Sequence, residues 1–128
     1  PLLDRIDLHA EVPQVKFQEI TAKRDGEPSA AIRERVIAAR QIQEKRFDGN
    51  IRLTCNARMQ AREIKQHCQL GDEPKNLLRM AMSELNLSAR AYDRILKVSR
   101  TIAVNGDALP LGVRTVVAKN WNIWKSTA

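Results

Sequence analysis

Three basic side chains, Arg90, Arg94 and Lys97, recur at i, i+4 and i+7. On an α-helix that spacing sets them along one face. A guanidinium stays charged at every physiological pH and presents a planar fork of donors, so it binds two oxygens of one phosphate or carboxylate at once. A row of this kind suits oxyanions, whether the phosphates of a nucleotide or the backbone of a nucleic acid. A solvated helix face, with Arg90 paired to Asp93, accounts for the same spacing. Arg5 stands between Asp4 and Asp7, and an ion pair with either is its plain structural reading.

Other chemistries find little support. Cys55 and Cys68 match no C-x-x-C or zinc-finger spacing, and His67 beside Cys68 does not complete a ligand set. No metal site is expected, and both thiols are expected reduced, as in a cytosolic protein. No G-x-x-x-x-G-K-[ST] loop occurs, so no phosphate-cradling P-loop is expected. No Ser-His-Asp or Cys-His arrangement is legible. The chain by itself is not expected to be an enzyme.

The elements that must position these residues read mainly as helices. Ser29 is the expected N-cap of a helix to about Phe47, with Ile32, Val36 and Ala39 inward and Arg33, Arg35, Arg40, Lys45 and Arg46 outward. Residues 57–69 suggest a second helix using Met59, Ile64 and Cys68. Asp72 or Glu73 opens a third through Leu85, with Pro74 in its first turn and Leu77, Leu78, Ala81, Met82 and Leu85 as its apolar face. Ser88 caps a fourth, which runs to about Ala103 and carries the basic row opposite Ala91, Ile95, Val98 and Ile102.

Both ends read differently. Ile6, Leu8, Ala10 and Val12 alternate with Asp7, His9 and Glu11, the pattern of a half-buried strand that Pro13 ends. A lone strand cannot satisfy its own backbone groups. Its partner is expected in a missing domain, another copy of the chain, or the strand-prone run Val113–Val117. The fold class is therefore mainly α, a small helical bundle preceded by one orphan β-strand.

The whole chain has 128 residues, of which 43% are hydrophobic and only 4% aromatic. That suits one domain whose core rests on aliphatic side chains. The net charge of +7, from 22 basic and 15 acidic residues, favours acidic partners, though an arginine-rich soluble surface gives the same balance. No run of about 18 apolar residues occurs, so no membrane span is expected. The absence of a signal pattern fits a cytoplasmic setting. The start at Pro1 without Met suggests a piece cut or processed from a longer polypeptide.

Two local sequences carry a resemblance to a known family. Pro1-Leu2-Leu3-Asp4-Arg5-Ile6-Asp7-Leu8-His9 resembles the L-L-D-R-[IF]-D-L element of the magnesium chelatase and MCM branch of AAA+ ATPases. Leu87-Ser88-Ala89-Arg90-Ala91-Tyr92-Asp93-Arg94-Ile95-Leu96-Lys97-Val98, followed by Arg100-Thr101-Ile102-Ala103, resembles a helix of the ComM/YifB C-terminal domain. The stretch at 30–47 and Asn56-Ala57 to Cys68-Gln69-Leu70 resemble the same domain. The resemblance implies that residues 1–13 are the last strand of an ATPase core and 14–28 a linker. It makes 29–103 a helical lid and leaves 104–128 as an atypical tail, without the family's H-V-x-E-A-[IL]-x-[YF]-R helix.

The resemblance also implies roles. Arg5 would be an arginine finger acting in trans on a neighbouring subunit's nucleotide, and Arg90 the sensor 2 arginine. Arg94 and Lys97, by their place in the basic row, are candidates for nucleic-acid contacts, with a solvated face as their plainer reading. The parent would hold ATP and Mg2+ in the rest of its core, assemble as a homo-oligomeric ring, expected to be a hexamer, and remodel DNA. Two rival readings are a lid of a true magnesium chelatase ATPase subunit and a stand-alone basic DNA-binding helical module.

Overall fold

A computed structural model describes residues 6, 14–15, 17–21, 26–48, 50–103 and 112–117. In chain order the elements are α1 (Phe17–Ile20), α2 (Ser29–Arg46), a 3-10 turn (Asn56–Arg58), α3 (Ala61–His67), α4 (Asp72–Glu84), α5 (Ala89–Ile102) and α6 (112–117). The described residues form helices and turns, as the mainly α reading expects. The strand expected over 6–12 and the residue Arg5 lie outside the described residues, Ile6 excepted.

The core collects around α4 and α5. Leu78, Ala81 and Leu85 of α4 pack with Ile95 and Leu96 of α5, and Ile64 and Cys68 close one side from α3. Burying an aliphatic side chain of this size contributes about 1.5–3 kcal/mol. The joint between α4 and α5 is tight. Asn86 takes a left-handed φ of 47°, and the Leu87 N–H reaches back to the Met82 carbonyl at 3.1 Å. This is a Schellman closure, and asparagine is the side chain that tolerates its left-handed residue best after glycine.

Several expectations need correction, among them the core place of Ile102, which is 44% exposed. Ile32 and Val36 are 43% and 45% exposed, and α2 buries no residue at all before its C-cap, Phe47. The apolar positions of α2 are too sparse to define a stripe, and only its last turn meets the body. Ser29 is the first helical residue rather than the cap, since the Ala31 and Ile32 N–H groups bond to the Pro28 carbonyl. The helix expected over 57–69 is broken at Met59 and Gln60, whose extended backbone separates the 3-10 turn from α3.

The last correction concerns the end of the chain. Val113–Val117, strand-prone and one of three candidate partners for the strand expected at 6–12, is helical. Val113, Val116 and Val117 are all buried, at i, i+3 and i+4, which is the helical period. β-branched residues raise strand propensity, but packing overrides so weak a preference. As a helix, the segment does not offer the strand edge that reading required. Gly112 lies against the Ser99 backbone of α5, and a Cβ placed there would overlap the Ser99 carbonyl. An ion pair between Arg114 and Glu73, both largely exposed, joins α6 to the start of α4.

Candidate functional site

Three of the expected oxyanion-binding residues ride on α5, whose N-terminus is firmly set. Ser88 caps it: its Oγ accepts the Ala91 N–H at 3.2 Å. Arg90 stands exposed in the first turn. Arg94 and Lys97 follow on the same face, both half-buried. Lys97 Nζ donates to the Ala57 carbonyl at 3.2 Å, and Arg94, Lys97, Val98 and Thr101 wall a groove whose opposite bank is Ala57. The structure thus brings Arg94 and Lys97 together and leaves Arg90 at the N-terminal end of the row.

That opposite bank is fixed by Asn56, which sequence reasoning missed. Only 1% of Asn56 is exposed, and it joins three elements. Its backbone N–H donates to Gln43 Oε1 at 2.8 Å, and its Oδ1 accepts from Arg46 Nη1 at 2.8 Å, both from the last turns of α2. Its Nδ2 donates to Thr101 Oγ1 of α5 at 3.2 Å, and that hydroxyl donates onward to the Lys97 carbonyl at 2.9 Å. A buried amide with donor and acceptor both engaged specifies one arrangement of its partners. Arg46, expected on the outer face, turns inward to serve it. Two sequence signals bear on it: a polar residue in a short segment without periodicity, and the place of Asn56-Ala57 at the start of a stretch that resembles the family domain.

Positive charge is concentrated behind this hub. Burial, then Arg100, holds the Arg46 guanidinium below its usual range, with Cys68 acting the other way. Burial, then Arg46 and Arg100, also lowers the His67 imidazole, against a raising effect of Glu63. His67 meets the Phe47 ring edge to face, with centroids 5.3 Å apart. Burial pushes the Cys68 thiol up, against the nearby cations Arg100, Arg46 and Lys97. Cys68 is therefore an apolar core group holding its proton, not a nucleophile. Among the described residues no three His, Cys, Asp or Glu side chains gather as a metal site, and no helix is long and apolar enough to cross a membrane.

Residues 26–107, which build the groove, the hub and α5, match the family described as magnesium chelatase, subunit ChlI C-terminal. The chain belongs to this family. Within the magnesium chelatase C-terminal family it is of the ComM/YifB type. It is 46% identical over 104 residues to the competence protein ComM of Haemophilus influenzae. It is 42% identical over 105 residues to the protein YifB of Escherichia coli, and 40% over 106 to that of Salmonella typhimurium. Each alignment takes in 80% of the chain but only 19% or 20% of the relative, so the chain spans about a fifth of the length of the curated relatives it matches. Helix α6, which closes the core, follows the matched family segment.

Proposed function

We propose that this chain is the helical lid of a ring-forming AAA+ ATPase that couples ATP hydrolysis to DNA remodelling. The supporting observation is α5 within a ComM/YifB-type domain: a capped helix with Arg90 exposed in its first turn, packed into the body by its opposite face. ATP and Mg2+ are held, in this reading, by the rest of the polypeptide. Arg90 reaches the nucleotide phosphates from the lid, and Arg5 reaches those of a neighbouring subunit. Farther along α5, Lys97 at the groove reaches DNA phosphates beside Arg94, whose guanidinium is partly buried.

Phosphoryl transfer spreads charge over the γ-phosphate oxygens, and a guanidinium delivered in trans contributes roughly 10³–10⁵-fold to turnover. It also makes each hydrolysis event depend on the adjoining subunit. The test uses the full-length parent. Arg5→Ala should preserve ATP binding and assembly while removing most of kcat, and Arg90→Ala should weaken hydrolysis. Arg5→Ala subunits mixed with subunits that keep Arg5 but carry a disabled P-loop lysine should regain turnover. Mixed rings that form yet stay inactive overturn the trans role of Arg5. A parent without ATPase activity, or with activity indifferent to DNA, overturns the whole reading.

A further inference from the structure

Next in sequence to the groove's Ala57 bank stands a second set of cations that the oxyanion row on α5 does not include. Ala57, whose carbonyl holds Lys97 Nζ, is followed by exposed Arg58 on the 3-10 turn. Beyond the break, Arg62 and Lys65 share the exposed side of α3, opposite buried Ile64. Between residues 56 and 67 the only carboxylate is Glu63, and its Oε2 is engaged by the Gln60 N–H at 2.8 Å in a capping box. Three cations are thus carried outward on a short, rigidly attached segment with one acid, itself tied down.

We infer that the exposed cations Arg58, Arg62 and Lys65, together with Lys97 beside Ala57, form a docking surface for the phosphate backbone of duplex DNA. It rests on the DNA-remodelling reading and adds which surface of this chain touches the DNA. Two observations select the partner. The charge is arginine-rich and extends beyond a single site, as a polyanion requires and a lone acidic side chain does not. The segments 56–67 and 89–102 hold two aromatic rings: Tyr92, which packs against the core, and His67, which is half-buried with its ring against Phe47. A surface that binds single strands relies on aromatic rings to stack bases. This one offers cations without such a platform, which suits sequence-independent contact with duplex phosphates. α3 packs on α5 through Ile64 and Cys68, so the DNA-facing surface and the helix bearing Arg90 share one core.

The test is fluorescence anisotropy of the 128-residue chain against a labelled 20-base-pair duplex across a salt series. Four phosphate contacts predict a log–log salt slope of about −3 to −4. The triple variant Arg58→Gln, Arg62→Gln, Lys65→Gln should lose tenfold or more in affinity, and its slope should become shallower by about 2–3. Its circular dichroism should match the parent chain's, since all three side chains are exposed. A control with the same charge loss elsewhere, Arg33→Gln, Arg40→Gln, Arg79→Gln, should lose less than threefold. Equal losses in the two triples reduce the effect to net charge and overturn the surface, as do tighter binding of single strands than duplex and the absence of duplex binding. The triple variant placed in the full-length parent separates this inference from the reading beneath it. DNA-stimulated hydrolysis left unchanged by the triple overturns only the surface. A parent that DNA never stimulates overturns the remodelling reading, while site-specific duplex binding by the chain still stands.

Discussion

Asn56→Ala removes one buried amide and with it the tie between α2, the 3-10 turn and α5. Two side-chain bonds are lost. The one from Arg46 is short and charge-assisted, worth about 1.5–3 kcal/mol, with the lower part of that range applying because Arg46 keeps some contact with water. The bond to Thr101 is neutral and 3.2 Å long, worth about 0.5–1.5 kcal/mol. The backbone bond from Asn56 to Gln43 survives the substitution. The expected loss is therefore about 2–4 kcal/mol, a large share of the roughly 5–15 kcal/mol that holds a domain together. Urea denaturation followed by far-ultraviolet circular dichroism measures it as a lower midpoint at unchanged slope. Thr101→Val isolates the second bond, and Asn56→Ala with Thr101→Val should cost less than the two separately. A loss below about 0.5 kcal/mol for Asn56→Ala, or strict additivity with Thr101→Val, refutes the hub.

Leu78→Ala should destabilise by about 2–5 kcal/mol, whereas Ile32→Ala should stay within about 0.5 kcal/mol because Ile32 lies on the exposed face of α2; both are read from the same urea titrations. Gly112→Ala should cost about 1–3 kcal/mol and speed hydrogen exchange over 112–117, because the added methyl meets the Ser99 carbonyl carbon at 2.9 Å and a backbone atom cannot turn aside. Unchanged exchange there would show that α6 does not need the close approach. The folded state holds His67 below its unfolded pKa of about 6.5, so the unfolded chain takes up the proton first on acidification. Its contribution is fully favourable above that pKa and declines as pH falls through it. Stability measured from pH 8 to pH 5 should drop less steeply in His67→Gln than in the parent chain.

Helices α4 and α5 were legible because each carried two agreeing signals. Ser88 supplied a cap and Ile95 a period for α5; Pro74 and the Leu78–Ala81–Leu85 face did so for α4. Where one signal stood alone, the reading failed. Ile32 and Val36 have helical spacing, but α2 lacks the further apolar residues that would oblige it to pack along its length. Val113, Val116 and Val117 carry β-branched side chains at helical spacing, and burial against the core decides for the helix. The α5 row was visible because spacing along one helix is a property of the sequence. The groove and the Asn56 hub were not, because residues 43, 46, 56, 97 and 101 meet only through tertiary packing. No local pattern records that Lys97 reaches a carbonyl 40 positions earlier.

Helix α2 is fastened at one end. Gln43 and Arg46 grip Asn56 and Phe47 is buried, while the preceding turns bury nothing. Its 18 residues make a rod about 27 Å long. A rod clamped at its tip acts as a lever: tilting it by about 10° carries Ser29 through roughly 5 Å, taking that length from the helical rise. The fulcrum is a set of hydrogen bonds whose other members sit on α5. Displacement at residues 26–29 is therefore delivered as torque on Asn56, and through Thr101 on the helix that bears Arg90, with a mechanical advantage set by the length of α2.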